Sequence, residues 1–410
     1  MRVAVTGLGL VSPLGGDPAE NIRNAKEGRS AIGRMNEPSL ADRLDAPLGA
    51  RVRFDGAAHF DPPRLRMLDR VSQFAVVAAR QALQDSGIDL LAADRDRIGV
   101  FVGCGMGGSL TMDDGYRTLY GDRSDRIKPF TILAGMHNAP AAWIGIEHGL
   151  GGPNLTYSTA CSSSAVAIGE AWLRVASGSL DVAMAGGSEA PLSLGSLKAW
   201  GAMHTLASID PDDAATSCKP FSRNRSGMVL GEGAAMLVLE PWDRAVARGA
   251  TIHGEMLGYG LTTDHGHITR PSVEGQVSAM RMALKSARLS PADIGAINAH
   301  GTGTQANDAV ETAAIKAVFD GLAGDIPISA TKAMHGHLLG ATAALECALS
   351  LLAMQQAIAL PTMHLLDRDP DCDLDYVANR VRTGVNVRTM LSNSFAFGGT
   401  NAVLVVGAGR

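Results

Sequence analysis

Aromatic side chains are scarce, at 4% of residues, while glycine is abundant at 48. That imbalance argues against an aromatic-rich β surface and points to tight packing of small side chains in a layered α/β protein. No run of about 18 uninterrupted apolar residues occurs, so no helical membrane span is expected. Positive charge is not in excess either: 36 Lys and Arg face 41 Asp and Glu, a formal net charge of −5. General nucleic-acid binding needs a basic footprint and is disfavoured, although a local basic patch remains compatible. CxxC spacing is also missing. Cys104, Cys161, Cys218, Cys347 and Cys372 are scattered and odd in number, indicating neither a disulfide framework nor a zinc site. No basic segment or cleavage site precedes the first strand-like run, so no secretory leader is expected and the expected compartment is the cytoplasm.

What is present is enough for sizeable cores. Hydrophobic residues make up 46% and charged residues 19% of 410 positions, which suits two fused domains or one large double unit. The order of local patterns favours a duplicated unit. Residues 2–9 (RVAVTGLG) are β-rich and end in glycines. Val71, Phe74, Ala75, Ala78 and Ala82 have the spacing of an amphipathic helix, and residues 98–103 form a strand that leads into the bend GCGMGG. The second half repeats this grammar. Val277, Met280, Ala283, Leu284 and Ala287 mark a helix, and residues 294–299 a strand before the bend HGTGT. In each half a loop then opens an Ala-rich, all-round apolar helix, TACSSS in the first and TKAMHGH in the second, both predicted to be buried. The strands expected to follow are residues 180–185 and the run beginning at Ile358. Extra residues in the first half lie roughly between Leu110 and Gly135. A boundary near Gly249–Gly258 divides the chain into halves 1–250 and 251–410, whose loops would meet at one shared site.

Four loops carry residues suited to chemistry. Cys161 sits in YSTACSSSAVAIGEAW, at the turn into a helix, where the helix dipole and unpaired N–H groups favour the nucleophilic thiolate. Small neighbours leave its backbone N–H free as an oxyanion donor. A lone cysteine is more commonly a small buried hydrophobe, and this segment by itself leaves both roles open. His300 ends the strand IGAINAH, and His337 lies in TKAMHGHLLGA five residues after Lys332. Either histidine alone reads as a hydrogen-bonded core residue. The duplication places the His337 loop opposite the Cys161 loop, and one Cys with two His is a set for thiol catalysis. A metal site fits less well, because no carboxylate or further His lies at ligand spacing. SNSFAFGGTN sets Phe395 and Phe397 in a glycine-rich loop, read as an ordinary turn or as an aromatic gate. GCGMGG lacks the glycine register and following acidic residue of a dinucleotide loop, so NAD binding is rejected.

Together, TACSSS, NAHGTGTQANDAVE, TKAMHGHLLGATAALE and SNSFAFGGTN, in this order, resemble β-ketoacyl-acyl-carrier-protein synthases of the synthase II type, over essentially the whole chain. The resemblance implies a five-layered αβαβα thiolase fold built from two related halves, as a homodimer, with a heterodimer containing a chain-length-factor-like subunit as the alternative. It implies an acyltransferase that condenses an acyl-Cys161 with malonyl-acyl-carrier protein to give a 3-ketoacyl product in fatty acid, polyketide or polyene elongation. No cofactor of its own is implied, because phosphopantetheine belongs to the carrier protein.

By the same resemblance, His300 and His337 bind the malonyl thioester and promote decarboxylation, with Lys332 supporting them electrostatically. Asp308, Glu311 and Glu346 are supporting acids, and Thr302 and Thr304 bond the pantetheine arm. Phe397 is the gate, and its N–H with that of Cys161 forms the oxyanion hole. Met106 and Thr131 line the acyl tunnel. Two positions depart from the pattern. His335 stands where these enzymes usually have Thr or another small residue, either as a surface position or as a modifier of local protonation. Thr131 replaces a bulky aromatic, suggesting an unusual or longer acyl chain. Arg64 and Arg66 are candidates for carrier docking. A biosynthetic thiolase is disfavoured because Cys347 lies inside a helix, and a catalytically silent partner subunit because the Cys, His, Lys, His set is complete.

Overall fold

The computed structural model describes residues 1–385 and 387–409. The first half supplies strands β1 (Val3–Val11), β2 (Ile98–Gly103), β3 (Asn154–Tyr157), β4 (Val182–Glu189) and β5 (Gly233–Pro241). The second supplies β6 (Gly254–Thr263), β7 (Ala296–Asn298), β8 (Ile328–Ser329), β9 (Thr389–Phe395) and β10 (Thr400–Ala408). All ten join in the order β8-β7-β9-β10-β6-β1-β5-β4-β2-β3. Read outward from the central antiparallel β1–β6 pair, the two halves have the same order and the same strand directions.

Six helices complete the layers: α1 (Arg70–Ser86), α2 (Ala139–His148), α3 (Ser163–Ala176), α4 (Val273–Ala287), α5 (Gln305–Phe319) and α6 (Thr342–Gln355). Asp69 starts α1 by accepting the Val71 N–H at 2.9 Å, and Gly87 ends it in the left-handed conformation. Glycine in the strands decides how closely the outer helices lie. A Cβ at Gly9 would stand 1.9 Å from the Ala78 carbonyl oxygen, and one at Gly260 would stand 2.2 Å from that of Ala279. The same close approach therefore recurs in both halves, α1 on β1 and α4 on β6. Helices α3 and α6 pack against each other between the strand layers; α6 is buried almost all round as expected, whereas α3 is buried over its first turns and leaves Leu173 exposed near its end. The result is the expected thiolase architecture, helix, strand, helix, strand, helix.

One expected strand lies elsewhere. Among the described residues, Ile358–Ala359 pairs only with Arg382–Thr383 in a separate two-stranded ribbon, and the counterpart of β4 is β9. Pro361 follows two residues later, and a proline cannot donate to a ladder, so the run stops before it reaches the sheet. The extra residues of the first half form short helices at Ser109–Tyr116 and Thr131–Gly135. No helix among the described residues is long and apolar enough to cross a membrane.

Candidate active site

The approach to α3 is built by small hydroxyl side chains. Ser163 Oγ accepts the Thr159 N–H at 2.9 Å and donates to the Ala160 carbonyl at 2.6 Å, while Ser162 Oγ donates to the Thr159 carbonyl at 2.9 Å. These bonds hold Ala160 at φ +49, a costly conformation for a residue with a Cβ, and set Cys161 at the head of the helix. The N–H groups of Cys161 and Phe397 both favour the ionised sulfur, and so does the charge of Lys332. Burial outweighs all three and pushes the thiol from 9.0 up to about 11. The local helix end alone, all that the sequence displays, would favour the thiolate. The enclosure of Cys161, a residue only 6% exposed, comes from distant parts of the chain.

His300 follows β7 at the lip of a loop in which Gly301 and Gly303 have φ +39 and +76. Two buried acids one turn apart on α5 fasten this loop. Glu311 accepts the N–H groups of His300 at 2.7 Å and Gly301 at 2.8 Å, and the Asn393 amide at 3.2 Å. Asp308 accepts those of Thr302 at 3.1 Å, Gly303 at 3.2 Å and Phe221 at 2.8 Å. Burial pushes both acids up while these N–H donors pull them down. Thr304 caps α5, its hydroxyl lies 2.8 Å from that of Thr302, and its carbonyl accepts from buried Arg225 at 2.9 Å. Arg225 was not singled out from the sequence.

Hydrogen bonds fix the tautomer of His337. The Leu339 N–H donates to Nδ1 at 3.1 Å, so Nδ1 is the acceptor and Nε2 carries the proton. That Nε2–H is buried, has no protein partner among the described residues, and belongs to a residue lining the cavity that Cys161 and His300 share. Both His300 and His337 are held well below the usual imidazole range, first by burial and then by the charge of Lys332. Fully buried Lys332 donates to the His300 carbonyl at 2.5 Å and to Glu346 at 2.8 Å. The Cys161 sulfur and one ring nitrogen from each histidine all lie within 4.8 Å of one another. The histidine rings meet edge to face at 5.5 Å. One thiol and two neutral imidazoles thus share one cavity, an arrangement suited to transferring an acyl group and stabilising an enolate.

The cavity is also lined by Thr302, Thr304, Phe395 and Phe397. A loop not anticipated from the sequence, carrying Asp264, His267, Ile268 and Arg270, also lines it. The ring of Phe397 stacks on Trp200 at 5.9 Å. Met106 packs in the same apolar cluster as Cys161. Thr131 does not join them; within this chain it lines a separate cavity with Leu68, Leu110 and Phe130. His335 is fully buried, which removes the surface alternative. Arg64 is engaged by Glu147, leaving Arg66 as the exposed member of that pair of arginines. Glu189 was missed. It accepts from Gly105 N at 2.7 Å, Met106 N at 2.9 Å and Gly340 N at 3.0 Å, and burial pushes it up to about 7. A lone acid closing an otherwise apolar strand, AMAGGSE, was the available signal.

Comparison with known proteins bears directly on this site. The β-ketoacyl synthase N-terminal domain profile matches residues 1–245, and the C-terminal domain profile matches residues 253–366. The chain belongs to the β-ketoacyl synthase family. It is a condensing acyltransferase of fatty acid or polyketide elongation. Nodulation protein E of Rhizobium meliloti (strain 1021) is 44% identical over 403 residues, 98% of each chain. The 3-oxoacyl-[acyl-carrier-protein] synthase 2 of Staphylococcus aureus (strain MRSA252) is 38% identical over 407 residues, covering 99% of this chain and 98% of that one. The solved ishigamide ketosynthase/chain length factor superposes with a TM-score of 0.92 at 32% identity, over 100% of this chain and 99% of the matched one. This β-ketoacyl synthase therefore has full-length relatives in both sequence and fold.

Proposed function

We propose that Cys161 is the acyl-accepting nucleophile of a decarboxylative condensation and that His300 and His337 are its enolate-stabilising pair. The observation that carries this reading is the meeting of the thiol with two neutral imidazoles inside 4.8 Å. In the first step the Cys161 sulfur bonds to the acyl carbon, the carrier's thioester bond breaks, and the thiol proton passes to the released carrier thiol. The N–H groups of Cys161 and Phe397 hold the oxyanion. In the second step the malonyl C–C bond breaks to release CO2, while neutral His300 and His337 donate to the thioester oxygen. The enolate attacks the acyl carbon, and Cys161 leaves and regains a proton. Lys332 and Glu346 hold the His300 strand end, and Asp308 and Glu311 hold its loop. Thr302 and Thr304 bond the pantetheine arm, and Phe397 gates the cavity. Met106 forms the near wall of the acyl site, and Thr131 contributes to its far end across a subunit contact.

The substrate partner is an acyl carrier protein, the reaction runs in the cytoplasm, and the work divides between halves 1–250 and 251–410. Dimerisation is supported by β3, an outermost strand, and by exposed Tyr120, Phe130, Ile132, Leu133 and Leu155 nearby in the chain. The second subunit is another copy of this chain. A chain-length-factor-like partner is the alternative favoured by the solved relative's pairing. Intact-protein mass after incubation with acyl-carrier proteins tests the reading. An acyl increment absent from Cys161→Ala and discharged as a 3-ketoacyl product by malonyl-carrier protein supports it. No adduct at any chain length would overturn it for the isolated chain.

A further inference from the structure

Behind the two cavity histidines lies a third, His335, which the reaction just described does not use. It ends the short helix Lys332–His335 and has no exposed surface. Its Nδ1 lies 2.7 Å from the Gly336 carbonyl oxygen and its Nε2 lies 3.0 Å from Thr331 Oγ1. A carbonyl oxygen only accepts, so Nδ1 carries the proton and Nε2 is a bare acceptor. The Thr331 hydroxyl therefore donates to His335. The same Oγ1 lies 3.5 Å from Glu346 Oε1, but a hydroxyl has one proton, and what it gives to His335 it withholds from Glu346. Glu346 Oε2 has no hydrogen-bond partner among the described residues. Lys332 Nζ at 2.8 Å is left as the strong donor to this buried acid.

We propose that His335 is a positioning residue that raises the proton affinity of Glu346 by holding the Thr331 hydroxyl away from it, and so tunes the Lys332–Glu346 pair that anchors His300. The groups acting on Glu346 are few. Burial pushes its carboxyl up most, Lys332 and then the Asn298 amide stabilise its charge, and Glu311 opposes it. Burial, helped by Lys332, pushes His335 down to about 3, so it remains a neutral acceptor at any working pH. Removing that acceptor frees Thr331 to donate to Glu346. A donor to the charged form lowers a carboxyl's pKa, so Glu346 would stay ionised to lower pH and the ion pair would persist there. The acid limb of condensation should then move to lower pH.

The link to rate rests on the proposed roles of Lys332 and His300, so the test includes a readout that needs no turnover. The protonated-carboxyl infrared band of Glu346, assigned by its loss in Glu346→Gln, is titrated alongside the pH–rate profile of malonyl decarboxylation. In His335→Leu both midpoints should fall by about one pH unit, the size of one hydrogen bond to a charged group. In His335→Leu with Thr331→Val the infrared midpoint should return to the wild-type value. An unmoved band in His335→Leu, or a shift that survives in the double variant, overturns the proposal. Should His335→Leu fail to fold, Thr331→Val alone decides. Its band stays in place if the hydroxyl serves His335, and rises by about one pH unit if the hydroxyl had served Glu346, which refutes the idea. A moved band with an unmoved rate profile would instead overturn the role of the ion pair in condensation.

Discussion

Cys161 should alkylate like a protonated thiol over the whole neutral range. A helix N-terminus is worth about 0.3–1 kcal/mol to an adjacent anion at exposed sites, and about 2 kcal/mol in favourable partly buried ones. A tenfold change in ionisation is worth about 1.4 kcal/mol, so even the larger figure moves a thiol by less than about two powers of ten. The enclosed sulfur lies at about 11 rather than 9.0 after Lys332 and both N–H groups have acted, a net penalty of about 3 kcal/mol on the thiolate. At pH 7 about one molecule in 10⁴ carries the thiolate. The assay is the second-order rate of iodoacetamide modification at Cys161, read by mass, with Cys161→Ala as the blank. Log rate should climb with unit slope through about pH 10 without a plateau. Replacing the nearby cation and its partner together, Lys332→Met with Glu346→Gln, should lower the rate by about tenfold or more at each pH below the plateau. A wild-type plateau at or below about pH 8 would show instead that the helix end and its donors beat burial, and that Cys161 is not a shielded thiol.

The remaining expectations concern the site and its support. His337→Ala should still accept an acyl group on Cys161 but lose condensation by about 10²–10³, and an equal loss of both steps would count against a role for Nε2–H in the second. Lys332→Met alone strands Glu346 in the interior and should cost about 3–5 kcal/mol in urea unfolding, most of it recovered by Lys332→Met with Glu346→Leu. Gly399 has φ +83, and a Cβ there would stand 2.3 Å from the Asp264 carbonyl oxygen. Gly399→Ala should therefore displace the Phe397 loop and slow acylation by about tenfold or more, with unchanged acylation as the contrary result. Ile132→Asp with Leu133→Asp should lower the mass seen by light scattering from two chains to one, and a persisting dimer would place the interface elsewhere.

Local signals made much of the architecture and the central residues legible. The helical spacing around Phe74 and Met280 and the glycines of β1 and β6 are short-range facts that survive folding unchanged. The loops holding Cys161, His300 and His337 are also contiguous motifs, and duplication was enough to expect them at one place. Where the reading went astray, the missing information was non-local. The run at Ile358 resembles β9 in composition, but its place outside the main sheet depends on Pro361 and on which strand edge is reached. Glu189 looks like any acid at a strand end until its donors arrive from Gly105 and Gly340, far apart in sequence. Sequence alone was enough for the layered duplicated fold, the family and the candidate residues that meet in the cavity, because periodicity, glycine and motif order are written in neighbouring residues. Folding was needed to establish that Cys161 is a shielded thiol, that His337 presents Nε2–H, that Thr131 faces a separate cavity and that His335 is buried. Those properties depend on desolvation and hydrogen-bond direction, which are set by atoms brought together from across the chain.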